Sequence, residues 1–73
     1  MTKHAISSDV TGTVFKIETA VGAAVSSGDT LIVLESMKME IPVEAPASGM
    51  VVEILVAEGD AVSEGQALAV LEG

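Results

Sequence analysis

The chain has 73 residues, 49% of them hydrophobic, with eleven valines, ten alanines, a single aromatic residue (Phe15), no cysteine and a formal net charge of −8. That length holds one small domain, residues 1–73, and without cysteine neither disulfides nor a thiolate metal site can hold it together. Eleven acids against three lysines and no arginine argue against nucleic-acid and anionic-membrane partners, both of which need a cationic footprint.

The chain opens on a segment in which His4, the only histidine, reads as an exposed residue of a flexible tail, since one imidazole among acids makes no metal site. Thr13–Glu18 then alternates apolar and polar residues, the pattern of a half-buried strand. Gly22 and Gly28 punctuate the next stretch, and Leu31–Leu34 is a short apolar run of the kind that forms a buried strand. A hairpin is predicted after it, strand 31–36 turning into strand 39–44. Pro42 in its second leg cannot donate to a ladder, which places that leg at a sheet edge or makes it irregular there. Met50–Leu55 is a further strand, Gly59-Asp60 and Gly65-Gln66 are turns, and Ala67–Leu71 is a second buried run. No segment holds a helical period for ten residues, and none approaches the roughly 20 apolar residues of a membrane span. The first residues lack a signal-peptide pattern, and the absence of cysteine fits a cytoplasmic protein.

The sequence repeats itself. Residues 10–35 lie over residues 47–72 at an offset of 37 without a gap: Gly12 falls on Gly49, Val14 on Val51, Gly22 on Gly59, Gly28 on Gly65, Leu31 on Leu68 and Leu34 on Leu71. Two related four-strand units, each with one apolar face, bury those faces against each other. The expected fold is all-β: a flattened antiparallel sandwich of two four-stranded sheets with quasi-twofold symmetry. The glycines are expected to hold positive φ in tight turns. The termini are expected together at the end of the molecule opposite the hairpin that links the copies. With no Pro/Ala-rich linker, the chain reads as a free-standing subunit or a trimmed domain.

Segment 36–39 lies between the copies and carries Met37-Lys38-Met39. A two-residue hairpin turn favours Asn-Gly or Gly-Gly, because both central residues need positive φ. This chain uses glycine at its other turns and places Met37 and Lys38 here, and local turn chemistry tends to be broken where a site is built. Two roles are open for the methionines: core residues closing the end of the sandwich, or a soft apolar patch at an exposed tip. Glu35 and Glu40 read as solvated charge beside the tip, and nothing forms a catalytic constellation.

The string Glu35-Ser36-Met37-Lys38-Met39, set in a doubled glycine framework, resembles the E-[AS]-M-K-M pattern of biotinyl (biotin carboxyl carrier) domains, within the biotin/lipoyl-attachment family. The resemblance covers the chain from Val10 onward. It implies that Lys38 carries biotin in amide linkage and that Met37 and Met39, with Glu35 as a further contact, help a biotin protein ligase recognise the site. It also implies a non-catalytic swinging-arm carrier, its lysyl-biotin arm reaching on the order of 15 Å. Such a carrier moves carboxybiotin from a biotin carboxylase to a carboxyltransferase, with an acyl-CoA as acceptor, the chemistry that feeds fatty acid biosynthesis. The family's Gly-Asp-x-Val turn is kept at Gly59-Asp60-Ala61-Val62 and lost at Gly22-Ala23-Ala24-Val25, and there is no room for the thumb segment of some acetyl-CoA carboxylase carriers. A lipoyl carrier shares the fold but usually reads Asp-Lys-Ala at its lysine. A non-carrier protein-binding domain of the same fold is the alternative from a different class.

Overall fold

Short alternating or apolar runs separated by glycine give strands and no helix in the computed structural model, which describes residues 2–73. The strands are β1 (Lys3–Ser7), β2 (Gly12–Ile17), β3 (Ala24–Val25), β4 (Thr30–Ser36), β5 (Met39–Glu44), β6 (Gly49–Ile54), β7 (Ala61–Val62) and β8 (Ala67–Glu72). They form two four-stranded antiparallel sheets, ordered β1-β8-β6-β3 and β5-β4-β2-β7. Advancing each strand of the first sheet by four, cyclically, gives the order of the second, so the quasi-twofold symmetry is built into the topology.

The two copies are not one sheet each. Each sheet takes two strands from each copy, and the linking turn explains why. Only Met37 and Lys38 separate β4 from β5, and a two-residue loop forces the strands it joins to be neighbours. β5 therefore leaves its own copy to pair with β4, and β1 pairs with β8 in the equivalent place without a joining loop. Pairing extends the equivalence beyond residues 10–35 and 47–72, since β1 holds the place of β5. Sequence comparison passes over this stretch because Ile6 on Val43 is its only apolar match. His4 consequently lies on β1 opposite Leu71. It is exposed, as expected, but belongs to a strand and not to a flexible tail.

The core is made of the repeated positions. Val14 and Val51, Leu31 and Leu68, and Leu34 and Leu71 are all at most 1% exposed, with Ile6, Ile32, Ala45, Val62 and Ala69 completing the cluster. At roughly 1.5–3 kcal/mol for each large aliphatic side chain removed from water, these residues can hold a short chain without a cross-link. Ser8, the one buried polar residue among those described, donates its hydroxyl to the Val10 carbonyl and accepts the Val10 N–H.

Two further expectations need correction. The strict alternation of Thr13–Glu18 is broken by a bulge between Val14 and Lys16, which leaves Phe15 half exposed, and the equivalent bulge lies between Val51 and Glu53. Positive φ is found at Gly22, Gly28, Gly59 and Gly65, but not at Gly12 or Gly49. Those two are small for a different reason: an added Cβ would lie 2.5 Å from the Glu35 carbonyl oxygen at Gly12 and 2.5 Å from that of Glu72 at Gly49. They allow close approach of backbones.

Thr2 and Gly73 exchange two backbone hydrogen bonds of 2.9 Å, so the described ends of the chain pair with each other. β1 runs from this pair to the segment around Thr11, which touches Ser36. The described ends therefore stand away from the β4–β5 tip, towards the opposite end of a molecule whose longest extent is 36 Å.

Candidate functional site

The β4–β5 hairpin closes with Glu35 opposite Glu40 and Ser36 opposite Met39, leaving Met37 and Lys38 as the two turn residues. Their φ values are +52° and +66°, and they are the only non-glycine residues with positive φ among those described. A two-residue turn with both centres left-handed matches the right-handed twist of the flanking strands. For L-residues that conformation costs roughly 1–2 kcal/mol each. The core of the sandwich holds the register of β4, and β5 follows as its edge partner, so the turn is imposed on residues that would not choose it.

The turn side chains point away from the core. Met37 is 93% exposed and Met39 61%, which decides between the two roles left open for them: they are an apolar patch at the tip and not part of the core. Lys38 is also exposed. Its ammonium makes no ion pair, the one such contact among the described residues being Lys16 to Glu18 at 3.6 Å. Glu35 and Glu40 are both exposed and face one another across the hairpin, an arrangement of like charges that weakens strand pairing. The result is a primary amine at the end of a narrow, acidic stalk, flanked on either side by a methionine.

The base of the stalk is tied down. The Ser36 hydroxyl donates to the Thr11 carbonyl at 3.0 Å, and Thr11 Oγ1 accepts the Glu64 N–H at 3.2 Å. Gly12 sits directly against the Glu35 carbonyl. The structure thus brings Glu35, Met37, Lys38 and Met39 together at one end and adds Thr11, Gly12 and Ser36 beneath them. The sequence signals these last residues only weakly: Gly12 stands out as a repeated glycine, and nothing in the string shows that it meets residue 35.

A family model described as "Biotin-requiring enzyme" matches residues 2–71. Over 41 residues the chain is 49% identical to the biotin-dependent acyl-coenzyme A carboxylase alpha3 subunit of Mycobacterium leprae, an alignment covering 56% of this chain and 7% of that protein. Among solved structures, Kluyveromyces lactis urea carboxylase superposes with a TM-score of 0.93 at 39% identity, over 99% of this chain and 6% of that one. A single-chain, multi-domain long-chain acyl-CoA carboxylase superposes with a TM-score of 0.88 at 35% identity, over 93% of this chain and 7% of that one. The chain spans less than a tenth of the length of each of these relatives.

Proposed function

The chain belongs to the biotin/lipoyl family of biotin-requiring enzymes, and on that premise we propose that Lys38 is the biotin acceptor of a carboxyl carrier domain. The observation that carries this reading is the left-handed, exposed Met37-Lys38 turn. A strained conformation is kept at one place, and it presents a primary amine that no acid among the described residues pairs with. A cofactor joined through an amide needs no pocket of its own, only a nucleophilic amine that a modifying enzyme can surround, so the residues present fit biotin.

In the modification step the Lys38 nitrogen attacks the carboxyl carbon of biotin held as an adenylate by a biotin protein ligase. The ammonium first loses a proton to free its lone pair; a C–N amide bond then forms, the C–O bond between the acyl carbon and the phosphate breaks so that AMP leaves, and the nitrogen gives up its second proton. No described carboxylate lies within ion-pair distance of Lys38, so a base of the ligase takes that proton. Met37 and Met39 offer adaptable apolar surface to the ligase, and Glu35 adds a charge beside it. Attached biotin supplies a ring nitrogen that can hold a carboxyl group.

The chain's own contribution after modification is to hold that group on a firm stalk and keep it at high effective concentration near successive active sites. Those sites are a biotin carboxylase and a carboxyltransferase on other domains or subunits, with an acyl-CoA as acceptor. The naming of two relatives as acyl-CoA carboxylases supports that choice. The carrier supplies no catalytic group.

Intact mass after co-expression with a biotin ligase tests the reading: one biotinyl group is expected on the native chain and none on Lys38→Arg, which keeps the charge and loses the nucleophile. Label on the Arg variant, at Lys3 or Lys16, would sink it.

A further inference from the structure

Two residues before Lys38, β4 is gripped from the side by the start of β2. The Gly12 Cα is so close to β4 that a Cβ there would stand 2.5 Å from the Glu35 carbonyl oxygen, 3.2 Å from Ser36 Cβ and 3.3 Å from the Glu35 carbonyl carbon. The preceding residue, Thr11, accepts the Ser36 hydroxyl on its carbonyl and the Glu64 N–H on its own hydroxyl. The arriving leg of the hairpin is therefore fixed to β2 and, through Thr11, to the turn at 63–66 of the other copy.

The far end of the molecule repeats this arrangement. Gly49 lies against the Glu72 carbonyl at the same 2.5 Å, and Ser48, in the place of Thr11, accepts the Ser27 N–H at 3.4 Å. At that end Gly73 pairs with Thr2, whereas at the near end Ser36 leads into the turn of Met37 and Lys38.

We propose that Thr11 and Gly12 are positioning residues for the modification of Lys38: they hold the Glu35-Ser36 backbone, and so fix where the turn presents the amine, without touching the amine themselves. The proposal rests on the reading of Lys38 as the biotin acceptor. Its magnitude comes from the geometry. Relieving the 2.5 Å contact to an ordinary van der Waals distance moves the backbone beneath the turn by roughly 1 Å, a displacement that can cost an enzyme reaction about a hundredfold.

Gly12→Ala and Gly49→Ala make the test, each carrying the same collision at one of two equivalent places. Both variants should lose melting temperature by similar amounts. Only Gly12→Ala should lower ligase kcat/KM, by about ten- to a hundredfold, with the fall carried mainly by kcat because the amine is bound and misplaced. The amide resonances of Met37, Lys38 and Met39 should move in Gly12→Ala and stay in Gly49→Ala, a readout that needs no ligase. If Gly12→Ala does not fold, Thr11→Val removes the hydroxyl acceptor and keeps the branched shape. It should slow labelling about two- to tenfold, the worth of one hydrogen bond, while Ser48→Ala at the other end leaves it unchanged. Wild-type kcat for Gly12→Ala, equal slowing in both glycine variants, or tip resonances that do not shift would each overturn the proposal. A native chain that no ligase labels would instead remove the reading of Lys38, and the resonances would still decide whether Gly12 places the turn.

Discussion

The two ends of this sandwich are built on the same frame and finished differently. At one end Gly12 lies against the Glu35 carbonyl and Ser36 pairs with Met39; at the other Gly49 lies against the Glu72 carbonyl and Gly73 pairs with Thr2. At the second end the backbone pairing of Thr2 with Gly73 stands where the turn stands at the first. The difference lies in the two residues that join the strands at the first end, Met37 and Lys38, both left-handed and both exposed. Elsewhere in the described chain every positive φ belongs to glycine. The comparison separates what the frame requires, which occurs twice, from what the tip requires, which occurs once.

The largest expected effects test whether the frame is shared evenly. Leu34 and Leu71 are equivalent and fully buried, so Leu34→Ala and Leu71→Ala should each cost about 2–5 kcal/mol in chemical denaturation. The two values should agree within about 2 kcal/mol, the spread that differences in local collapse produce. One variant at full cost and the other near zero would show that the copies do not carry equal load, and the comparison of ends would lose its basis. Next in size are Gly22→Ala and Gly59→Ala, whose φ values of +94° and +93° should make each lose about 1 kcal/mol or more, measurable by thermal melts. No loss at either position would remove the requirement for glycine in these turns.

The tip should answer with the opposite sign. Met37→Gly removes a left-handed penalty of roughly 1–2 kcal/mol and adds about 0.5–1 kcal/mol of unfolded-state freedom. It should therefore raise stability by about 0.5–1 kcal/mol while slowing biotinylation. Met37→Ala and Met39→Ala truncate exposed side chains and should change stability by less than about 0.5 kcal/mol, with the kinetic loss in a ligase assay exceeding the stability loss. A large drop in melting temperature with normal ligase turnover would show that these side chains support the fold after all.

The repeated glycines and leucines made most of the frame legible from the sequence, because an offset of 37 pairs burial with burial: Val14 with Val51, Leu31 with Leu68. The tip was legible through an anomaly, Met and Lys where a turn wants glycine. What escaped has physical reasons. β1 was invisible as a partner of β8 because an edge strand with one buried side chain, Ile6, leaves little periodic signal. The interleaving of the copies comes from a two-residue loop and pairing geometry and not from composition. Gly12 looked like a turn glycine because a sequence shows that a side chain is missing, but not whether φ or a neighbouring backbone forbids it.

A small expected gain concerns a place where the two copies differ. Three of the four glycine turns end in a side chain that accepts a hydrogen bond from the backbone three residues earlier. Asp29 accepts the Ser26 N–H at 2.9 Å, Asp60 that of Ala57 at 2.9 Å, and Gln66 that of Ser63 at 3.0 Å. The fourth turn has Ala23, whose backbone makes the same 3.0 Å bond to Ala20 that Asp60 makes to Ala57, but whose side chain has nothing to offer. A carboxylate at this place bonds its own turn, and one such bond is worth about 0.5–1.5 kcal/mol. Ala23→Asp should therefore gain about 0.5 kcal/mol, the lower end because Ala23 is half-buried, so a carboxylate there gives up some hydration, and because the chain already carries a net charge of −8. Asp60→Ala should lose a similar or slightly larger amount. The gain should grow with added salt as repulsion among the acids is screened. Urea titrations of the two variants at low and moderate salt would show it. A loss of stability in Ala23→Asp at both salts would mean that charge, and not the missing acceptor, decides this turn.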